Sequence, residues 1–134
     1  MNSKYKLFKF ILMIPYRIIN IFYGATISPI TKFKWTPILP HGLHGIFTSK
    51  MAIIGENVTI YRQVTIGSIL TVGSKKIGAP TIGNNVIIGV GAKILGNITV
   101  GNNVSIGANS VVVNDIPDNS RVVVVPCRVI EKKL

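Results

Sequence analysis

Aliphatic residues recur every six positions along most of the chain. The first inward position repeats in six consecutive units, at Ile82, Ile88, Ile94, Val100, Ile106 and Val112. A second small or aliphatic position follows each by four residues, at Val86, Ala92, Ile98, Val104, Ser110 and Ile116. The same register holds upstream at Ile54, Ile60 and Ile66. An α-helix repeats apolar positions every three or four residues and a half-buried strand every two, so neither explains this period.

A strict period of six with two inward positions predicts short straight edges joined by tight corners. Three such edges close one triangular coil, and stacked coils form a parallel β-helix. The register assigns complete coils to residues 48–65, 82–99 and 100–117. Asparagine and glycine at the corners accept left-handed backbone conformations that bulkier residues resist. We therefore predict an all-β domain over residues 26–125, in which each coil is stabilised by burying its aliphatic ladder against the next.

The six-residue register breaks once within this region. Ile66 and Ile82 are sixteen positions apart, which is not a multiple of six. Residues 68–80 must therefore leave the coil as an extruded loop, and they carry the cations Lys75 and Lys76. Loops on rigid scaffolds often carry function, although a solvated insertion without a role is the alternative.

The amino-terminal segment, residues 1–25, predicts a short amphipathic helix. Pro15 and Arg17 interrupt its apolar run, so it is too short to span a bilayer and fits a secretory signal poorly. Residues 4–24 suit a helix lying at a membrane surface, with the cations Lys4, Lys6 and Lys9 at the headgroups. Packing on the protein's own body or on a neighbouring subunit explains the segment equally well. We expect a cytoplasmic protein, either free or peripheral at the inner face of the membrane.

The charge balance narrows the function classes. The chain of 134 residues has 15 Lys and Arg against 4 Asp and Glu, a formal net charge of +11. Six of those cations and none of the acids lie in residues 1–34, and a second basic stretch ends the chain at residues 126–134. No continuous basic stripe with interleaved aromatics is present, so we expect no nucleic acid partner. One cysteine, two histidines and four acids are too few for a disulfide framework or a protein-bound metal site.

A resemblance to a known family covers about residues 26–130, and five stretches carry it most clearly. They are Val58–Gly67, Gly91–Asn97, Ile106–Val112, Asp115–Asp118 and Val125–Arg128. They resemble the hexapeptide-repeat acyltransferases, in the serine-acetyltransferase branch. The resemblance implies a left-handed β-helix, a cyclic homotrimer with active sites between prisms, and acetyl-CoA as co-substrate without a metal.

The resemblance also implies a catalytic residue. The family's histidine follows the pattern Ile-x-Pro-x-x-Lys, which is present here as Ile27–Lys32 and points to His41. An imidazole has a solution pKa of about 6.5, which suits a general base that removes the acceptor's hydroxyl proton. Backbone N–H groups at the turn of Gly67 and Ser68 are candidates for stabilising the oxyanion. His44 either assists the acceptor or simply fills a corner.

For acetyl-CoA the resemblance points to a groove lined by small residues and closed by the carboxyl terminus. The implied contacts are Gly89, Val90, Gly107, Ala108, Pro126 and Arg128. Arg128, Lys132 and Lys133 offer cations for the CoA phosphates. Taken singly, each glycine is better explained as a plain coil corner, and Cys127 is interpreted as a packing residue rather than a nucleophile.

The departures from the family concern charged residues. Pro40 stands where the family has an Asp beside the histidine, Thr26 where it has a second Asp, and Gly78–Ala79 where it has an Arg-His pair. A site without these charges should discriminate poorly for a zwitterion such as serine. Only Glu56 or a neighbouring subunit is left as a source of a carboxylate partner for His41.

The segment Leu39–Gly45 instead resembles relatives from surface-polysaccharide clusters. We therefore expect an O-acetyltransferase that moves the acetyl group of acetyl-CoA to a carbohydrate hydroxyl, with His41 as general base. The alternatives are a serine O-acetyltransferase that lacks the usual Asp residues, and a non-catalytic β-helix scaffold.

Overall fold

The computed structural model describes residues 14–123, which form a parallel β-helix with three faces. Face A holds β1 (Thr26–Ile27), β3 (Phe47–Thr48), β6 (Thr65–Gly67), β9 (Lys93–Leu95) and β12 (Val111–Val112). Face B holds β2 (Lys32–Phe33), β4 (Ile53–Ile54), β7 (Thr81–Ile82) and β10 (Thr99–Val100). Face C holds β5 (Thr59–Ile60), β8 (Ile87–Ile88), β11 (Ser105–Ile106) and β13 (Arg121–Val122). The chain visits the faces in the order A, B, C, and adjacent strands on each face pair in parallel.

The aliphatic ladder fills the inside of the prism. Every first-position residue from Ile54 to Val112 is at most 5% exposed. Equivalent residues stack from coil to coil, as Ile60, Ile88 and Ile106 do on face C. Burial of an isoleucine side chain contributes about 1.5–3 kcal/mol, and each side chain here is covered by the coils above and below. The predicted β-helix is confirmed.

Asparagines stack along the edge between faces B and C, and we call this stack the asparagine ladder. Its four members have positive φ values of 53–58° and are Asn57, Asn85, Asn103 and Asn119. Each Nδ2 donates to the Oδ1 of the next side chain, at 2.8, 3.2 and 3.0 Å in chain order. Asparagine adopts this left-handed conformation more readily than other side-chain-bearing residues, which explains its repeated use at the corner.

The extruded loop leaves the edge between faces A and B, and its base is held in place. Ile69 and Gly78 pair in antiparallel fashion, each N–H donating to the other's carbonyl at 2.9 Å. The Asn97 N–H donates to the Lys76 carbonyl at 3.0 Å, which ties the loop to the next coil. Val72 in the outer part of the loop is 95% exposed. The predicted loop is therefore present, with a fixed base and an open tip.

The first corner between faces C and A is longer than its counterparts. Nine positions separate Ile38 from Phe47, whereas six separate Thr59 from Thr65, the matched positions of the next coil. The three additional residues belong to the corner that carries His41 and His44. The six-residue register did not predict this extension.

Helix α1 occupies residues 14–23 and ends in a Schellman motif at Gly24. Gly24 has φ +56°, and the Ala25 N–H donates to the Asn20 carbonyl at 3.0 Å. The Tyr16 hydroxyl donates to the Ile27 carbonyl and ties the helix to β1. Within residues 14–123, no helix has the length and apolarity needed to cross a bilayer. The rest of the predicted amino-terminal helix and the basic carboxyl-terminal tail lie outside the described residues.

Candidate active site

Four corners between faces C and A stack into one edge, which we call the histidine edge. It consists of residues 39–46, 61–64, 89–92 and 107–110. Backbone hydrogen bonds join successive corners: the Gln63 N–H donates to the His44 carbonyl at 2.8 Å, and the Asn109 N–H to the Val90 carbonyl at 2.8 Å. This edge brings together the predicted base His41, the second histidine and the four predicted CoA contacts within the described chain.

His41 is exposed, and its imidazole meets an aromatic ring of the next coil. The ring centroids of His41 and Tyr61 are 5.3 Å apart and their planes lie at 76°, an edge-to-face contact. Tyr61 is half-buried, and its N–H donates to the Ile88 carbonyl at 3.1 Å. A fixed tyrosine therefore packs against one side of the imidazole and limits its orientation.

Glu56, the carboxylate partner considered for His41, lies far from it in the described chain. Glu56 lies on the edge between faces B and C, so the whole of face C separates it from His41. The histidine edge itself contains no acidic residue. Across residues 14–123, no three His, Cys, Asp or Glu side chains gather closely enough to hold a metal ion.

His44 faces the end of α1 rather than Tyr61. Its ring centroid lies 4.8 Å from that of Tyr23, with the planes at 63°. The Gly45 N–H donates to the Tyr23 carbonyl at 2.9 Å, so two contacts join this corner to the helix. The longer corner is thus closed by α1 on one side and by Tyr61 on the other.

Gly89 and Gly107 of the histidine edge are constrained by the stacking of the coils. A Cβ added to Gly89 would lie 2.7 Å from the Ala108 nitrogen, a distance that intact structures do not tolerate. A Cβ on Gly107 would lie 3.0 Å from the Val122 carbonyl oxygen. These glycines therefore have a structural cause, and they also leave the surface beside the half-buried Val90 and the exposed Ala108 free of larger side chains.

Two residues of this edge, and one in the strand that follows it, were not singled out from the sequence. Tyr61 packs on His41, and the cations Arg62 and Lys93 lie beside the small-residue corners, with the Lys93 Nζ donating to the Gly91 carbonyl at 3.3 Å. Counting one coil of 18 residues forward from His41 gives Thr59, two positions short of Tyr61. The three additional residues in the first corner shift that count, and the sequence offers no sign of the shift.

The predicted oxyanion site lies elsewhere in the chain. Gly67 and Ser68 lie at the edge between faces A and B, and face A separates them from His41. Gly67 is buried, and its carbonyl accepts the Gly96 N–H at 3.0 Å. One chain alone therefore does not bring this turn to His41. The remaining predicted CoA contacts, Pro126 and Arg128, lie outside the residues that the structure describes.

Comparison with known proteins identifies the repeat and the relatives. The family profile of the bacterial transferase hexapeptide (six repeats) matches residues 79–114. A serine acetyltransferase of Synechococcus elongatus is 42% identical over 107 residues, which cover 80% of this chain and 43% of that protein. The chain thus spans less than half the length of this curated relative.

The solved structures to which the chain is similar include serine acetyltransferases. A serine acetyltransferase isoform 3 of Entamoeba histolytica, in complex with cysteine, superposes with a TM-score of 0.72 at 35% identity, covering 87% of this chain and 40% of that one. A serine acetyltransferase of Neisseria gonorrhoeae, in complex with serine, gives 0.66 at 39% identity, covering 78% and 42%. The likeness confirms that the β-helix is left-handed, an exception to the usual crossover rule.

These relatives overturn the expected acceptor. The relatives and structures above are serine acetyltransferases, so the expectation of a carbohydrate O-acetyltransferase is wrong. It rested on the missing charged residues and on the segment Leu39–Gly45, which lies in the extended corner of the first coil. By its repeat, its left-handed coil and its relatives, the chain carries the bacterial transferase hexapeptide repeat and is similar to the serine acetyltransferases.

Proposed function

We propose that this protein transfers the acetyl group of acetyl-CoA to the hydroxyl of serine. The observation that carries the proposal is the exposed His41 on an edge of small residues, in a prism closely similar to serine acetyltransferases. Exposure makes the imidazole accessible to an acceptor, and the later corners of the same edge carry small residues at Gly89, Gly107 and Ala108. The relatives' names and the serine-bound neighbour support serine as the acceptor.

His41 acts as the general base in the proposed reaction. It takes the proton of the serine hydroxyl as the oxygen attacks the thioester carbonyl carbon. The tetrahedral intermediate then collapses, the carbon–sulfur bond breaks, and the CoA thiolate recovers the proton from the imidazolium. The contact with Tyr61 keeps the imidazole oriented through both proton transfers.

Acetyl-CoA binds along the histidine edge in this proposal. Gly89, Val90, Gly107 and Ala108 form the floor, and their small side chains allow close approach of the pantetheine arm. Arg62 and Lys93 supply positive charge for phosphate groups. Pro126 and Arg128 keep their predicted contacts as part of the proposal.

The test is CoA release with serine as acceptor. L-Serine should release CoA and yield O-acetylserine by mass spectrometry, whereas L-alanine, which lacks the hydroxyl, should release none above hydrolysis. Because Pro40 and Thr26 replace carboxylates, we expect turnover to require serine at millimolar levels. Absence of product at saturating serine would refute the acceptor, and absence of acetyl-CoA binding by calorimetry would leave only the scaffold alternative.

We propose further that the active unit is a cyclic homotrimer. Gly67 and Ser68 lie across face A from His41, so a neighbouring prism is needed to bring such a turn to the imidazole. Light scattering should give three times the chain mass of 14.5 kDa. Mixing inactive His41→Ala and Ser68→Pro chains should restore activity, because some sites then receive both intact halves. A monomeric mass, or no recovery in mixed samples, would contradict a shared site.

In this proposal, helix α1 binds to an anionic membrane surface. Its outward side carries Ile18, Ile21 and Phe22 at 52%, 80% and 85% exposure, while Tyr16 and Tyr23 contact the body. Residues 1–34 contain six cations and no acid, which favours a negatively charged partner. Phosphatidylglycerol vesicles should sediment the protein and phosphatidylcholine vesicles should not, and Phe22→Asp should reduce binding. Equal recovery with both lipids would contradict the contact.

A further inference from the structure

The edge between faces B and C follows a regular hydrogen-bond rule over four coils. The first corner residue donates its N–H to a side-chain oxygen of the next corner, as Glu56 does to Asn84 at 2.9 Å and Asn84 to Asn102 at 2.8 Å. The second corner residue donates its N–H back to the preceding corner, as Asn85 does to the Glu56 carbonyl at 2.9 Å. These paired bonds hold each corner against the next.

The rule fails between the first coil and the second. The matched positions in the first coil are Trp35 and Thr36. In the described chain the Trp35 N–H makes no bond to the Glu56 carboxylate, and the Asn57 N–H makes none to the Trp35 carbonyl. Thr36 precedes Pro37, which restricts its backbone to extended conformations, and it lacks the positive φ of the ladder asparagines. The first corner therefore stands away from the second.

The gap between these corners is a surface hollow of about 360 Å³. Its walls are Trp35, Thr36, Ile38, Glu56 and Asn57. The Trp35 side chain is 70% exposed, so an indole of large area is presented to solvent at this point. A hollow of this size accommodates a small organic group.

Glu56 is the free acid of the described chain. Asp115 accepts the Thr99 N–H at 2.8 Å and Asp118 accepts the Asn102 N–H at 2.7 Å, whereas the Glu56 carboxylate accepts no hydrogen bond within residues 14–123. Lys34 lines the neighbouring hollow on the other side of the Trp35 segment and not this one. An unpaired carboxylate and an exposed indole thus share one hollow in a strongly basic protein.

We propose that this hollow binds a guanidinium group, carried by a soluble guanidino compound or by an arginine of a second copy of this chain. A planar guanidinium can stack on the indole of Trp35 while its N–H groups donate to the Glu56 carboxylate and the Asn57 Oδ1. The site lies across face C from the histidine edge. It is therefore a second binding site, and its failure would leave the proposed acetyl transfer untouched.

Trp35 is the one tryptophan of the chain, so fluorescence excited selectively at tryptophan reports on the surroundings of this indole. The probe is N-acetyl-L-arginine amide, and its neutral match is the citrulline analogue, which keeps the shape and loses the charge. The arginine probe should change the Trp35 emission saturably, with a Kd on the order of 1 mM, and the citrulline probe should not. A response of equal size to both probes, or none to either, would overturn the proposal.

Two charge variants distinguish binding of the probe in this hollow from a general effect of the protein's net charge. Glu56→Gln should weaken the probe about fivefold, because it removes the ionic partner and keeps the side-chain size. Asp115→Asn changes the net charge by the same amount at another edge and should bind the probe as wild type does. An unchanged Kd in Glu56→Gln, with an unaltered circular dichroism spectrum, would overturn the proposal.

The source of the guanidinium is tested without the probe, by measuring the Trp35 emission at increasing protein concentration. Emission that depends on concentration, and loses that dependence in Glu56→Gln, identifies a second copy of the chain as the source. Constant emission identifies a soluble ligand.

Discussion

At the scale of single residues, the reactivity proposed for His41 depends on its neighbour in the next coil. Pro40 provides no carboxylate and Glu56 lies on another edge, so the edge-to-face contact with Tyr61 is the feature that orients the imidazole. Aromatic pairs of this geometry contribute about 0.5–1.5 kcal/mol beyond their buried area. That energy is enough to favour one orientation of an exposed ring.

Tyr61→Ala should lower kcat about tenfold and leave the KM for acetyl-CoA nearly unchanged, since about 1.4 kcal/mol of orientation is lost without a binding contact. Tyr61→Phe keeps the ring and should retain near wild-type kcat. Steady-state CoA release at saturating serine measures both. If the Phe variant is as slow as the Ala variant, the hydroxyl rather than the ring is what matters.

At the scale of elements, corners rather than strands set the shape of the prism. Strands of two or three residues contribute few bonds each, whereas the asparagine ladder links four coils through side-chain amides and positive φ values. Asn103 is the clearest case, because its side chain accepts from Asn85 and donates to Asn119.

Asn103→Ala should lower the free energy of unfolding by about 2 kcal/mol, because it removes two exposed hydrogen bonds and places a Cβ residue at φ +55°. Asn103→Gly loses the bonds but tolerates the backbone and should cost about half as much. Asn114→Ala, at an exposed position without a positive φ, should be neutral. Urea denaturation compares the three, and equal losses for Ala and Gly would show that the backbone conformation is not the cause.

The element scale also shows how far the sequence predicts the fold. The register from Ile54 to Val112 predicted the coils, the buried ladder and the loop, because two apolar positions per hexad exclude helices and flat strands. It did not predict the longer corner of the first coil, where Ile38 and Phe47 fall out of phase. A periodic signal cannot report an insertion in a segment where the period is not yet established.

At the scale of the whole molecule, each edge of the prism carries a different set of residues. One edge carries the histidines, a second the extruded loop with Gly67 and Ser68, and a third the asparagine ladder with the Trp35 hollow. The sequence could place His41 by its spacing from Ile27–Lys32, but it could not show which residues share an edge. The wrong acceptor has another origin, because the missing charges at Pro40 and Thr26 were given more weight than the similarity of the coils to serine acetyltransferases.

The rate of serine-dependent CoA release in two histidine variants tests the proposed role of His41 most directly. His41→Ala should be slower than wild type by about 100- to 10,000-fold, the usual contribution of a general base. His44→Ala, which loses only its contact with Tyr23 and serves as the matched control, should remain within about tenfold of wild type. A His41→Ala protein that folds normally and releases CoA as fast as wild type would exclude His41 as the general base.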